Sequence, residues 1–170
     1  MNIESMANYA DVIAGIAVVV SLIYVGIQIR KNTQVNQGIA TQQTFASTQI
    51  IYSWHANNSE VSELWTKFHK GEELTIAETV RNTQLMFGMV EQYQVYFVLH
   101  QLKLLDDESF RSFFRKILLV LGTPTSRQWF TTNRNFFRHD FVEYVDSLLD
   151  ENLHVFKALS KFYGLESTPG

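Results

Sequence analysis

Apolar residues are arranged along this chain in two different ways. From 12 to 29 they form one continuous run in which Ser21 and Gln28 are the strongly polar members and no residue is charged; Asp11 and Arg30 bound it. Beyond residue 32 they return at three- and four-residue intervals, the spacing that places them on one face of a helix. Wound as an α-helix, the run is about 27 Å long, close to the roughly 30 Å of hydrocarbon in a bilayer. The pattern predicts a single transmembrane helix over about 11–30, with Tyr9 and Tyr24 as interfacial aromatics. A run at the short end of this range also fits a buried core helix of a soluble protein.

A cleaved signal peptide starts with basic residues and ends in a small-residue cleavage site, whereas this start carries Glu4 and Asp11 and the exit carries Arg30 and Lys31. The segment is therefore expected to be retained. Lys and Arg favour the cytoplasmic side of a span, so Arg30 and Lys31 predict an inner-membrane, single-pass protein with its N-terminus outside and its body cytoplasmic. Within the span Ala10, Ala14, Ala17 and Ser21 fall on one helical stripe, a candidate surface for helix association and a homo-oligomer; the alternative is a stripe that faces lipid.

The body reads as helices separated by cap signals. Residues 32–59 contain no Asp, Glu, Lys or Arg and recur in Gln and Asn, without Pro or a turn cluster. The anchor helix is thus expected to continue to about Ala56, with Val35, Ile39, Ala46, Ile50 and Trp54 as its apolar face and the amides forming either a solvated face or a seam against another helix. Asn57, Asn58 and Ser59 supply caps for a short helix with Glu60 and Glu63 in its first turn, ending at Lys70 before Gly71. Thr75 and Glu78 form a capping box that opens the core helix, roughly 76–102, carrying Val80, Met86, Phe87, Val90, Tyr93, Phe97 and Val98. A helix over 107–121 follows the cap Asp106 and stops at Gly122; Thr123 and Pro124 restart the chain as N-cap and first residue. A last helix spans about 139–163. The reading is an all-α chain in which one N-terminal transmembrane helix extends into a compact multi-helix bundle. Its parts are a tail and anchor (1–31), a bundle domain (32–165) and a frayed tail (166–170).

Composition narrows the chemistry. The chain of 170 residues has room for one modest domain beside the anchor, and 8 Gly with 2 Pro argue against an all-β chain built on tight turns. With no Cys, disulfides, thiolate metal sites and a Cys nucleophile are excluded. The formal charge of -3 gives no general affinity for nucleic acid, and the body is about neutral, so no nucleic-acid partner is expected. Arg111, Arg115, Lys116, Arg127, Arg134 and Arg138 precede an acidic stretch at 140–151, which fits either a basic face on an anionic leaflet or pairing between the two segments.

Glu151 and His154 have the spacing of a di-metal bundle motif, but such sites need two of these pairs and further Glu, so no metal and no cofactor is expected. His139 with Glu143 reads as a surface pair. Gly-rich phosphate loops, nucleophile elbows and zinc-protease motifs are absent, no catalytic residue is assigned, and an enzyme is disfavoured. Glu91 on the core helix, among Val90, Tyr93 and Phe97, fits either a half-buried carboxylate doing acid–base work near Tyr93 and His100 or, the preferred reading, a residue that faces water or pairs with an Arg.

Three stretches carry a resemblance. They are 21–33 (Ser21, Leu22, Ile23, Tyr24 through Arg30, Lys31, Asn32, Thr33), the turn Lys103, Leu104, Leu105, Asp106, and the late segment Pro124, Arg127, Trp129 with Phe141, Tyr144, Val145 and Asp146. In them, and over most of its length, the chain resembles a broad family of bacterial, membrane-anchored helical hypothetical proteins. That family has a Gly at the start of the turn, where this chain has Lys103. In the late segment it has a Gly and a second Trp, where this chain has Thr125 and Phe130. The resemblance implies the architecture and membrane attachment and carries no activity.

The expected role is a membrane-tethered helical interaction or scaffold module, with self-association as one option, whose partners are the membrane and another protein or a second copy. The competing classes are a membrane-bound small-ligand binder or enzyme, with a pocket among Glu91, Tyr93, Tyr96, His100, Arg127 and Trp129, and an accessory subunit of a larger membrane complex.

Overall fold

The computed structural model describes the backbone of residues 3–152 and, within it, the side chains from residue 12 onward apart from His55. The tail at 166–170, the later part of the helix expected over 139–163, His154 and the side chain of Ala10 lie outside the described residues. The chain divides into two compact units, Met1–Ile39 and Ala40–Gly170. Helix α1 (Ile3–Asn57) contributes to both.

In the first unit α1 is uncharged and almost wholly apolar from 12 to 29, and every described side chain from 12 to 36 is exposed. Among the described residues one helix, within Val12–Trp54, is long and apolar enough to cross a membrane; its most hydrophobic window has a mean hydropathy of 2.5 and is 0% buried. Two of its hydroxyls bond to the helix's own backbone. Ser21 Oγ donates to Ala17 O at 2.8 Å and Thr33 Oγ1 to Ile29 O at 3.0 Å, so these hydroxyls need neither water nor a partner helix.

The second unit is a helical bundle. Beyond the end of α1 it contains α2 (Ser59–His69), α3 (Ile76–Gln101), α4 (Asp107–Phe114), α5 (Ile117–Leu121), α6 (Pro124–Asn133), a 3-10 turn (Arg134–Phe136) and α7 (His139–Glu151). No strand occurs among the described residues.

The caps read from sequence are in place. Asn58 Oδ1 accepts from Val61 N, Thr75 and Glu78 form the reciprocal box, Asp106 accepts from Glu108 N and Ser109 N, and Thr123 caps Ser126 N ahead of Pro124. Helix α2 ends in a Schellman turn: Glu72 N bonds to Lys67 O and Gly71 N to Phe68 O, with Gly71 at φ +73°. Helix α3 ends in the same way, through Leu104 N to Leu99 O and Lys103 N to His100 O, but there the left-handed position, φ +57°, holds Lys103.

Three features differ from the sequence expectation. The helix expected over 107–121 is divided, because Lys116, Leu118 and Leu119 bond to carbonyls three residues back, tightening the chain between α4 and α5. Val80, expected in the core, is 54% exposed. The part of α1 in the bundle does not bury Ile50 and Trp54, which are exposed, as is Ala46; it turns Ala40, Thr44, Ser47, Thr48 and Ile51 inward. Two of the hydroxyls on that face bond to the helix backbone, Ser47 to Gln43 O and Thr48 to Thr44 O, each at 2.9 Å, whereas the buried Thr44 Oγ1 has no hydrogen-bond partner among the described residues. Gln42, Gln43 and Gln49 lie on the exposed side.

The core is aromatic. Phe114, Phe130, Phe141, Met86, Ile117 and Leu121 are almost completely buried, and ring contacts run from Phe110 to Phe114 (4.9 Å), Phe114 to Phe141 (6.1 Å), Phe141 to Phe137 (6.1 Å) and Phe137 to Phe130 (5.8 Å). Most of these pairs are edge-on or tilted, the arrangement the ring quadrupole favours.

Candidate functional site

A cavity of about 310 Å³ lies in the bundle between the end of α1, α2, α3 and the junction of α4 with α5. The phasing of the helices explains its position. Small residues on the inward face of α1 leave room that a Leu or Phe face would fill, and Phe45 from α1 meets Phe113 of α4 edge-on at 4.7 Å. Ile51, Trp65, Met89, Phe113, Leu119 and Val120 supply the apolar wall; Thr48, Tyr52, Thr66, Gln92, Tyr93, Tyr96 and Lys116 supply the polar atoms.

The polar atoms are largely committed. Thr48 Oγ1 and Tyr96 Oη are 2.6 Å apart and share a hydrogen bond. Burial pushes the Tyr93 phenol well above its ordinary value, and burial likewise raises Tyr96, partly offset by its hydrogen bonds with Thr48 and Gln92. Both phenols stay neutral at any physiological pH and act as hydrogen-bonding groups rather than as bases.

Lys116 is the ionised side chain on this wall. Its Nζ lies 5.5 Å from the Tyr52 ring centre and 5.6 Å from that of Phe113, within the range of cation–π attraction. No carboxylate pairs with it among the described residues.

No family model, no curated protein and no solved structure matches the chain.

Of the six residues that the sequence suggested for a pocket, Tyr93 and Tyr96 line the cavity. The other four have different surroundings. Glu91 is exposed on α3. His100 holds Asp107 Oδ1 at 2.8 Å from Nε2 and stacks on Phe110 at 4.1 Å. Arg127 donates from Nη2 to Leu149 O at 3.0 Å, and Trp129 packs edge-on against Phe87 at 5.0 Å with its Nε1 buried and without a hydrogen-bond partner. Ala14, Ala17 and Ser21 are exposed on the first unit.

The basic stretch is partly paired with the acidic one: Arg134 meets Asp146 at 2.6 Å and Arg138 meets Asp140 at 2.8 Å. His139 and Glu143 are an exposed pair at 3.5 Å.

Thr48, Tyr52, Trp65 and Lys116 were not singled out for a site by sequence reasoning. Their common feature is visible only in the fold, since hydropathy ranks Thr48 as polar surface and Lys116 as one more member of a basic stretch. One signal was available: the uncharged, hydroxyl-rich run at 41–53 is unusual for a solvated helix. The polar groups of the wall are Thr and Tyr hydroxyls, the Gln92 amide and the Lys116 ammonium.

Proposed function

We propose that this chain is a membrane-tethered helical binding module: the N-terminal part of α1 spans the bilayer, and the bundle carries the recognition surface. The observation that carries the reading is the bare helix, uncharged from 12 to 29 with every described side chain exposed. A core helix of a soluble bundle would be covered by its neighbours, and leaving this much apolar surface in water forgoes roughly 25 cal/mol of stabilisation per Å².

Fractionation tests the tether. The full chain is expected to sediment with membranes, to resist alkaline carbonate and to be released by detergent; recovery in the high-speed supernatant without detergent removes the reading. Arg30 and Lys31 support a cytoplasmic body in the inner membrane of a bacterium. The lack of native Cys makes this orientation simple to test in spheroplasts, where an impermeant maleimide is expected to label Asn2→Cys and not Ser112→Cys. The reverse labelling inverts the topology.

A second reading, a binder of small ligands, is favoured by the cavity. Its volume of about 310 Å³ and its mainly apolar wall with a few convergent polar atoms match ligand pockets, which hold roughly 300–1,000 Å³.

A further inference from the structure

The cavity wall is asymmetric in a way that selects a ligand. Ile51, Met89, Leu119 and Val120 offer a surface with no hydrogen-bonding demand, and the hydroxyls of Thr48 and Tyr96 are already spent on each other. A polar ligand would leave its own groups unsatisfied there. Lys116 is the exception: a half-buried ammonium, resting against the Tyr52 and Phe113 rings, with no carboxylate counter-ion among the described residues.

Resting on the second reading above, we propose that the cavity binds a single-chain amphipathic carboxylate, a fatty-acid anion whose chain fills the apolar part and whose head group pairs with Lys116. Charge complementarity decides the head group. One compact ammonium, without an Arg fork beside it, suits a singly charged carboxylate better than a phosphate, which is usually held by several donors. Size decides the tail, because about 310 Å³ is at the small end of ligand pockets and has room for one chain rather than the two of a phospholipid. A chain tethered to a bilayer also works where such amphiphiles concentrate.

The wall contains its own reporter, Trp65. With Trp54→Phe and Trp129→Phe in the full chain, reconstituted in phosphatidylcholine vesicles at pH 8, fluorescence quenching by 12-bromododecanoate reads contact with Trp65. Competition by unbrominated dodecanoate separates saturable binding from partition into lipid. Saturable quenching is expected, with 12-bromododecanol weaker by about tenfold, as loss of one charge-assisted contact implies. Lys116→Met is expected to weaken the carboxylate by about the same factor and to leave the alcohol unchanged, which also shows that the variant is folded. Equal binding of acid and alcohol, or indifference of the acid to Lys116→Met, overturns the head-group assignment while leaving an apolar ligand cavity. Absence of saturable quenching by either compound overturns the cavity reading as well, and the tether is judged separately by fractionation.

Discussion

Lys103 occupies a backbone conformation that suits Gly, φ +57° at the C-terminal turn of α3, and among the described residues it is the non-Gly residue with positive φ. A Cβ there meets the following carbonyl, at a cost of roughly 1–2 kcal/mol. Lys103→Gly is accordingly expected to stabilise the bundle by about 0.5–1 kcal/mol, because the gain is reduced by the extra freedom of Gly in the unfolded chain. Leu102→Gly, one residue earlier at φ −77°, is expected to destabilise. Urea titrations of the two variants check the pair, and the opposite order would refute the strain argument.

Glu78 makes a second prediction at this scale. Its carboxylate accepts from Thr75 N at 2.8 Å and from Lys67 Nζ at 2.9 Å, and the backbone bond from Thr75 first, then the Lys67 bond, hold its pKa at about 2 against 4.5 for a free Glu. A depressed carboxylate stabilises the fold above its unfolded pKa, and that contribution is lost as pH falls through the folded value. Melting temperature is thus expected to fall between about pH 4.5 and about pH 2, and Glu78→Gln to flatten that part of the profile. An unchanged acid limb in the variant would count against it. Asp106 and Asp140 add to the same limb, the first held low mainly by backbone bonding to Ser109, the second mainly by Arg138.

At the scale of the element, helix ends were legible in the sequence and helix faces were less so. Asn58, Thr75, Asp106 and Thr123 act on amides two or three residues away, so their chemistry is written locally and the starts of α2, α3, α4 and α6 follow from it. The inward face of α1 is settled by what packs against it. Thr44 and Thr48 are hidden while Ile50 and Trp54 are exposed, which hydropathy alone inverts. The division of α4 from α5 and the 3-10 turn Arg134–Phe136 have no Gly or Pro to announce them, and the cavity follows from the α1 face, so it was equally hidden. Helix α4, whose inward face the sequence reading did not assign, shows how much the aromatic packing is worth. Phe114 touches the rings of Tyr93, Phe110, Phe141 and Tyr144, and Phe114→Ala is expected to destabilise by about 3–5 kcal/mol, measurable by denaturant titration. A loss below about 1 kcal/mol would mean that the aromatic cluster collapses around the gap.

For the whole molecule, the two units make different demands on their surroundings. The bundle hides an aromatic core of its own, while residues 12–36 hide nothing. A charge in the middle of the bare segment separates them experimentally: Val19→Arg is expected to lower membrane retention, at a cost of about 2.5–3.5 kcal/mol on insertion scales, and to leave the denaturation midpoint of the bundle in place. Unchanged retention would point to attachment by some other surface. The uncovered helix also governs how the purified particle must behave in light scattering. With the proposed tether, a polypeptide of 19.7 kDa is expected to travel in water inside a collar of surfactant, its scattering mass exceeding the protein mass by the weight of that collar.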